Sequence, residues 1–214
     1  MKIDKNAMLL YAVTDRAWTG NRTLVEQVEA ALVGGITFLQ LREKNLEYDE
    51  FLQEAVELKK LTAFYHVPFV INDNVEVALA CDADGVHVGQ EDMPVEKVRD
   101  MIGPDKILGV SAQNVEQAIA AEKAGADYLG IGSVFPTNTK LDAKPMTFET
   151  VQEICQSVSI PIVAIGGITK TNILELSGSG VDGVAVVSAI FAQPDITAAT
   201  KELRKLSTEM VGRD

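Results

Sequence analysis

Cysteine is scarce in this chain, cations are outnumbered, and no long apolar run occurs. Each shortage removes a class of protein. Only Cys81 and Cys155 are present among 214 residues. They lie far apart, in no metal-ligand or disulfide spacing, and read as small buried hydrophobes in a reducing compartment. Lys and Arg number 19 against 31 Asp and Glu, a net charge of −12. Nucleic-acid binding rests on neutralising backbone phosphates with Lys and Arg, so such a role is disfavoured. No apolar run reaches the roughly 20 residues of a membrane-spanning helix. The N-terminus, MKIDKNAMLLYAVTD, lacks the long apolar region and small-residue cleavage site of a signal peptide. The expectation is a cytoplasmic protein with no nucleic-acid or membrane partner. In so acidic a chain, an anionic ligand has to be held by a local concentration of cations, and each well-placed Lys or Arg becomes informative.

Hydrophobic residues make up 47% of the chain, enough for a sizeable core. They are arranged as short apolar runs alternating with amphipathic segments. Strands are expected at Met8–Thr14, Ile36–Arg42, Pro68–Asn72, Gly85–Val88, Ile107–Val110, Tyr128–Ile131, Pro161–Ile165 and Gly183–Val187. Helical spacing, i, i+3, i+4, marks Thr23–Val33, Tyr48–Tyr65, Val75–Ala80, Val95–Ile102, Val115–Ala124, Phe148–Ser157, Thr171–Ser177 and Ile196–Met210. Such alternation predicts parallel pairing through crossover helices, and eight repeats match a closed (β/α)8 TIM barrel. An open doubly wound sheet is the alternative, but it usually carries a Gly-rich first turn, and the turn here is Thr14-Asp15-Arg16. A phrase of small residue, acid or Thr, and apolar run recurs before alternate strands: GGITFLQL, CDADGVHVG, AGADYLGIG and SGVDGVAVV. Its spacing of two βα units suggests quarter-barrel periodicity, with the glycines as helix C-caps. No linker or low-complexity tract breaks the pattern, so residues 1–214 read as one domain.

Chemistry in such a barrel belongs to the C-terminal strand ends. Strand alternation sends Leu39 and Leu41 toward the helices and Phe38, Gln40 and Arg42 toward the barrel axis, with Lys44 continuing that parity. Interior Gln and Arg need partners. These are either carboxylates in a salt-bridge network or a ligand with anionic and ring-nitrogen groups. Asp73 and Asp92 fall at adjacent strand ends. One or two carboxylates plus substrate phosphates is the usual way to hold Mg²⁺. Each also has a structural reading, Asp73 as a helix N-cap and Asp92 as a turn or cap before Pro94. His87 reads as an interior or helix-facing residue, and Ser111 as a cap or a site residue. Gly166 and Gly167, with Val187 and Ser188 opening a short helical segment, suggest a metal-free phosphate site. The polar loop Thr137-Asn138-Thr139-Lys140 after the sixth strand offers hydroxyl, amide and ammonium donors to an anion. Two anion sites on one rim fit two phosphorylated reactants, or one diphosphorylated one.

These motifs, QLREK (Gln40–Lys44), IND (Ile71–Asp73), GVHVGQED (Gly85–Asp92), GVSA (Gly109–Ala112), FPTNTK (Phe135–Lys140), AIGGI (Ala164–Ile168) and VVSAI (Val187–Ile190), together closely resemble the thiamine-phosphate synthase family. The resemblance implies a transferase joining 4-amino-2-methyl-5-hydroxymethylpyrimidine diphosphate to hydroxyethylthiazole phosphate, or its carboxylated form, with release of pyrophosphate. It implies that Gln40, Arg42, Lys44 and Asn72 contact the pyrimidine diphosphate, and that Asp73 and Asp92 hold Mg²⁺. It places Ser111 and Lys140 beside the pyrimidine and pyrophosphate, and Thr137, Thr139, Gly167, Val187 and Ser188 on the thiazole phosphate. The family's chemistry resembles a dissociative substitution in which Arg42, Lys140 and Ser111 serve the departing diphosphate and the pyrimidine. No Ser-His-Asp or Cys-His constellation is needed for it, and none is found.

The first strand carries no matching motif, which leaves Tyr11, Asp15 and Trp18 unassigned. Rival readings are a thiazole tautomerase, which resembles the family in fold but not in its metal and diphosphate residues, an aldolase or isomerase barrel, and a non-catalytic phosphometabolite-binding barrel. Small-molecule substrates are the expected partners, and assembly as a homo-oligomer is left open.

Overall fold

Each of the eight expected apolar runs forms a strand in the computed structural model, which describes residues 3–137 and 145–212. In chain order the strands are β1 (Leu10–Val13), β2 (Phe38–Leu41), β3 (Phe69–Asn72), β4 (Gly85–Val88), β5 (Ile107–Ala112), β6 (Tyr128–Gly132), β7 (Ile162–Ile165) and β8 (Gly183–Val186). All neighbours pair in parallel, and β8 returns to β1 to close a barrel. The helices are α1 (Leu24–Gly34), α2 (Tyr48–Phe64), α3 (Val75–Ala80), α4 (Val95–Ile102), α5 (Val115–Lys123), α6 (Phe148–Ser157), α7 (Ser188–Phe191) and α8 (Ile196–Met210). One helical expectation needs correction: Thr171–Ser177 forms no α-helix but a single 3₁₀ turn, Ile173–Leu176. Ile173 and Leu176 are the only residues of that turn that bury, an i, i+3 pair that one 3₁₀ turn can satisfy. No helix among the described residues is long and apolar enough to cross a membrane.

Alternation within the strands produces two cores. Leu39, Leu41, Ile71, Val86 and Leu129 face the helices. Met8, Tyr11, Val13, Phe38, Val70, Ile107, Tyr128, Val163 and Ala185 fill the barrel interior. Tyr11, Phe38 and Tyr128 meet there with ring centroids 4.6–5.9 Å apart. An interior packed with side chains leaves polar groups room only near the mouth.

The fourfold phrase has a mechanical meaning. Thr37, Asp84, Asp127 and Asp182 each clamp the start of the preceding odd-numbered strand at the barrel floor. Asp127 is typical: its amide donates to Leu108 O (2.7 Å) and its Oδ2 accepts from Leu108 N (2.8 Å). Asp84 does the same with Phe69, Asp182 with Ile162 and Thr37, through its hydroxyl, with Leu10. Each clamp satisfies a strand-end amide that would otherwise be buried without a partner. The three carboxylates are in turn paired with Lys59, Arg99 and Lys5. The glycine after Asp84 and Asp182 is required by close contact, since a Cβ at Gly85 would lie 2.0 Å from Ile107 O, and one at Gly183 2.0 Å from Met8 O.

Candidate active site

At the opposite end of the barrel, β2 delivers the densest set of polar groups. Gln40 is buried inside, as its parity predicts. Arg42 lies one residue past the strand, at the mouth, its Nη1 3.6 Å from Asp15 Oδ2 in the loop after β1, a carboxylate partner of the kind its interior parity calls for. The backbone there is pinned by Thr14, whose Oγ1 accepts from Arg42 N (2.9 Å). Glu43 has the opposite parity and turns away. Its side chain is 4% exposed and is paired with Arg16 (3.1 Å), which also holds Glu54 through two contacts of 2.8 and 2.9 Å. This anchoring leaves Arg42 and Lys44 on the rim. Sequence reasoning missed Thr14, Asp15, Arg16 and Glu54; the parity of Glu43 between two site cations was the available signal.

Lys44 Nζ reaches Asp73 Oδ2 at 2.6 Å. Asp73 is not a helix cap: Asn74 caps α3, accepting from Val77 N. Asp73 instead takes a left-handed conformation, φ +61°, and its Oδ2 also accepts from Asn72 Nδ2. Asp92 does not cap α4 either; it closes a turn by accepting from Gly89 N (2.7 Å). The two carboxyl groups lie within hydrogen-bonding reach of each other. Burial, with Asp92 beside it, pushes the Asp73 carboxyl up despite Lys44. For Asp92 burial acts in the same direction, but the hydrogen bond from Asp73 and the Gly89 amide outweigh it and hold the group down. Two carboxyl groups placed side by side repel one another when both are ionised, and a divalent cation held by both would relieve that repulsion. No group of three or more His, Cys, Asp or Glu able to hold a metal occurs among the described residues. The pair is therefore no protein-made cage, and it suits Mg²⁺, which keeps waters and takes further oxygens from a substrate diphosphate.

Ser111 stands on β5 beside this cluster. Asn114, not Ser111, caps α5, so the hydroxyl is free of that task. Its Oγ is 2.9 Å from His87 Nε2, and its carbonyl accepts from Gln90 Nε2 (2.7 Å). His87 lies inside the barrel, and behind it runs a buried series of contacts. His87 Nδ1 meets Tyr128 Oη at 2.9 Å, Tyr128 Oη meets Tyr11 Oη at 2.8 Å, and Gln40 Nε2 donates to Tyr11 Oη at 2.6 Å. Burial pushes the imidazole pKa down from its ordinary 6.5 to about 4, with Asp92 opposing weakly, and pushes both phenols up, so all three groups are neutral. Two strand glycines make the space: a Cβ at Gly109 would lie 2.1 Å from Tyr128 Cζ, and one at Gly130 3.3 Å from His87 Cε1.

The buried imidazole has a consequence for stability. Its folded pKa lies below its unfolded one. As pH falls from 6.5 toward 4, the unfolded chain takes up a proton that the native state refuses. The stabilisation is complete above pH 6.5 and declines below it, by about 3 kcal/mol in all. Urea midpoints are expected to fall between pH 7 and pH 5 equally in the native chain and in His66→Asn, which removes the exposed histidine. A flat profile would mean that His87 is not held neutral.

On the far side of the mouth, Gly166 and Gly167 have φ of +100° and +66°. Their small size serves protein contact first: a Cβ at Gly167 would lie 2.3 Å from Pro136 O, and one at Gly166 2.4 Å from Ser133 Oγ. Phe135 N donates to Gly166 O (3.1 Å), which fastens the loop after β6 to the loop after β7. Among the described residues no acceptor meets the amides of Gly167, Val187 or Ser188. Thr137 ends the described part of the loop after β6, while Thr139 and Lys140 lie outside the described residues.

Comparison with known proteins gives the chain a family. The family described as "Thiamine monophosphate synthase" matches residues 10–190. A thiamine-phosphate synthase of Ruminiclostridium cellulolyticum is 51% identical over 197 residues, 92% of this chain and 94% of that protein. One of Clostridium botulinum is 49% identical over 196 residues, 92% of each chain. Among solved structures, a thiamine phosphate pyrophosphorylase from Pyrococcus furiosus superposes with a TM-score of 0.90 at 47% identity, covering 97% of this chain and 99% of that one. With this match over most of a chain that closes into an eight-stranded barrel, and with relatives about half identical over nearly its whole length, the chain belongs to the thiamine monophosphate synthase family.

Proposed function

We propose that the protein is a Mg²⁺-dependent thiamine-phosphate synthase. It would join an aminopyrimidine methyl diphosphate to a thiazole phosphate and release pyrophosphate. The observation that carries this is the cluster of Asp73, Asp92, Lys44 and Arg42 at adjacent strand ends: two carboxylates in mutual contact, with cations beside them. Neither a Schiff-base aldolase nor a proton-transfer isomerase needs such a set: the first works through a lysine and the second through a base at a strand end, and His87, neutral and enclosed, is poorly suited to that task.

Asp73 and Asp92 would hold Mg²⁺, which would supply Lewis-acid neutralisation of the diphosphate. Arg42 and Lys44 add charge on the same group, and Lys44, now on Asp73, exchanges part of that contact for phosphate oxygens. Gln40, Asn72 and Ser111 position the ring, and Lys140 meets the departing diphosphate. Thr137, Thr139, Gly167, Val187 and Ser188 hold the acceptor phosphate in line. Bond cleavage leads, the ring stabilises the resulting methyl cation, and the thiazole nitrogen captures it. The protein provides orientation and charge stabilisation and no strong nucleophile. The reading places the enzyme in the cytoplasm with small-molecule partners.

The test mixes both substrates with the purified chain. Pyrophosphate and thiamine phosphate are expected in equal amounts, with turnover lost on chelation and restored by Mg²⁺. Absence of turnover with Mg²⁺ present would refute the reading.

A further inference from the structure

The buried series from Gln40 to Ser111 has a direction. Tyr11 and Tyr128 are 1% and 0% exposed, so neither hydroxyl reaches bulk solvent. Each carries one hydrogen. Gln40 Nε2 donates to Tyr11 Oη, so the Tyr11 hydrogen goes to its other hydrogen-bond partner among the described residues, Tyr128 Oη. The Tyr128 hydrogen then goes to His87 Nδ1. With Nδ1 accepting, the imidazole carries its proton on Nε2, which donates to Ser111 Oγ. The Ser111 hydrogen is left to face a ligand. At the other end, Gln40 Oε1 has no partner among the described residues. The two ends therefore present opposite faces to the barrel mouth, an acceptor at Gln40 and a donor at Ser111.

We propose that this one-way chain is a specificity device: Tyr11, Tyr128 and His87, as positioning residues, lock Gln40 to accept from a ring amino group, and so exclude the corresponding oxo ring. The proposal rests on the aminopyrimidine reading above. An isolated glutamine could turn its amide over and serve an oxo ring equally well. Here that flip would require the Tyr11, Tyr128 and His87 hydrogens all to reverse, inside a core where an unmatched polar group is costly. Two acceptors facing each other is the remaining outcome, and it rejects the oxo ring.

Two experiments test it, and they fail separately from the reading of function. Long-range ¹⁵N–¹H correlation on the substrate-free, Mg²⁺-containing protein reports the tautomer of His87, with His66→Asn assigning the second of two histidines. The Nε2–H tautomer is expected. An Nδ1–H tautomer, or an imidazolium at neutral pH, overturns the chain whether or not the enzyme turns over. The second experiment compares kcat/KM for the aminopyrimidine diphosphate and its oxo analogue, each with the thiazole phosphate. Tyr11→Phe frees the Gln40 amide, so the amino-to-oxo ratio is expected to fall by about tenfold or more. An unchanged ratio in a variant with native circular dichroism overturns the specificity role. Tyr128→Phe breaks the same chain at a second point and gives the same test if Tyr11→Phe does not fold. Absence of turnover with the amino substrate would refute the synthase reading and leave the tautomer result standing.

Discussion

Asp92→Ala is expected to lower kcat/KM by at least about a hundredfold at fixed Mg²⁺, since a metal stabilises developing charge by several kcal/mol. The fold is expected to survive. Asp92 makes one backbone hydrogen bond, to Gly89 N, worth about 1 kcal/mol. Its removal also relieves Asp73 of a neighbouring carboxyl that raises its pKa. For a chain of this size such a change moves the melting midpoint by about 2–4 °C at most. The diagnostic is a separation of effects. In the native protein, Mg²⁺ with diphosphate raises the melting temperature by mass action, and in Asp92→Ala that response disappears. Full turnover at low Mg²⁺ would show that the carboxylate holds no metal.

Asp127→Ala should have the converse profile. The lost carboxylate leaves Leu108 N without an acceptor and Arg99 without its counter-charge, both partly buried at the barrel floor. Breaking a buried pair on one side costs about 3–5 kcal/mol. The discount here is modest, because the two side chains are 17% and 19% exposed and Arg99 keeps carbonyl partners at Gly103, Lys106 and Gly125. A loss near 3 kcal/mol corresponds to a fall of about 10 °C in melting temperature. Activity of the folded fraction at 25 °C should be close to native, since the clamp lies at the end of the barrel opposite the candidate site. Glu202→Ala, which removes one side of the exposed Lys170 pair, is the control and should change little. If both variants melt alike, the fourfold clamp carries no stability.

These two variants separate what a linear reading can reach from what it cannot. The strands were legible because a parallel barrel buries both faces of each strand. The resulting apolar runs, bounded by capping Thr, Asn and Gly, stand out in sequence. Seven helices were legible for the complementary reason, one apolar stripe apiece. The segment after β7 differs from its expected helix because Ile173 and Leu176, an i, i+3 pair, satisfy helical spacing and 3₁₀ spacing equally. In the candidate site, Gln40, Asp73, Asp92 and Ser111 could be picked out because polar residues at the ends of buried strands are expensive unless used. The partner of Arg42, Asp15, could not be picked out, because it comes from a different loop.

By itself, then, the sequence determined the barrel, the rim that carries the candidate site and the identity of the charged groups there. Periodicity, turn residues and burial cost are local and additive along a chain. Tertiary structure alone decided what those groups touch. Asp15 meets Arg42, Arg16 draws Glu43 away from the mouth, and Tyr11 and Tyr128 join Gln40 to His87 across the interior. Each of these contacts spans residues far apart in sequence, and a hydrogen bond's direction depends on every partner in its chain. Neither property is written in any one stretch of residues.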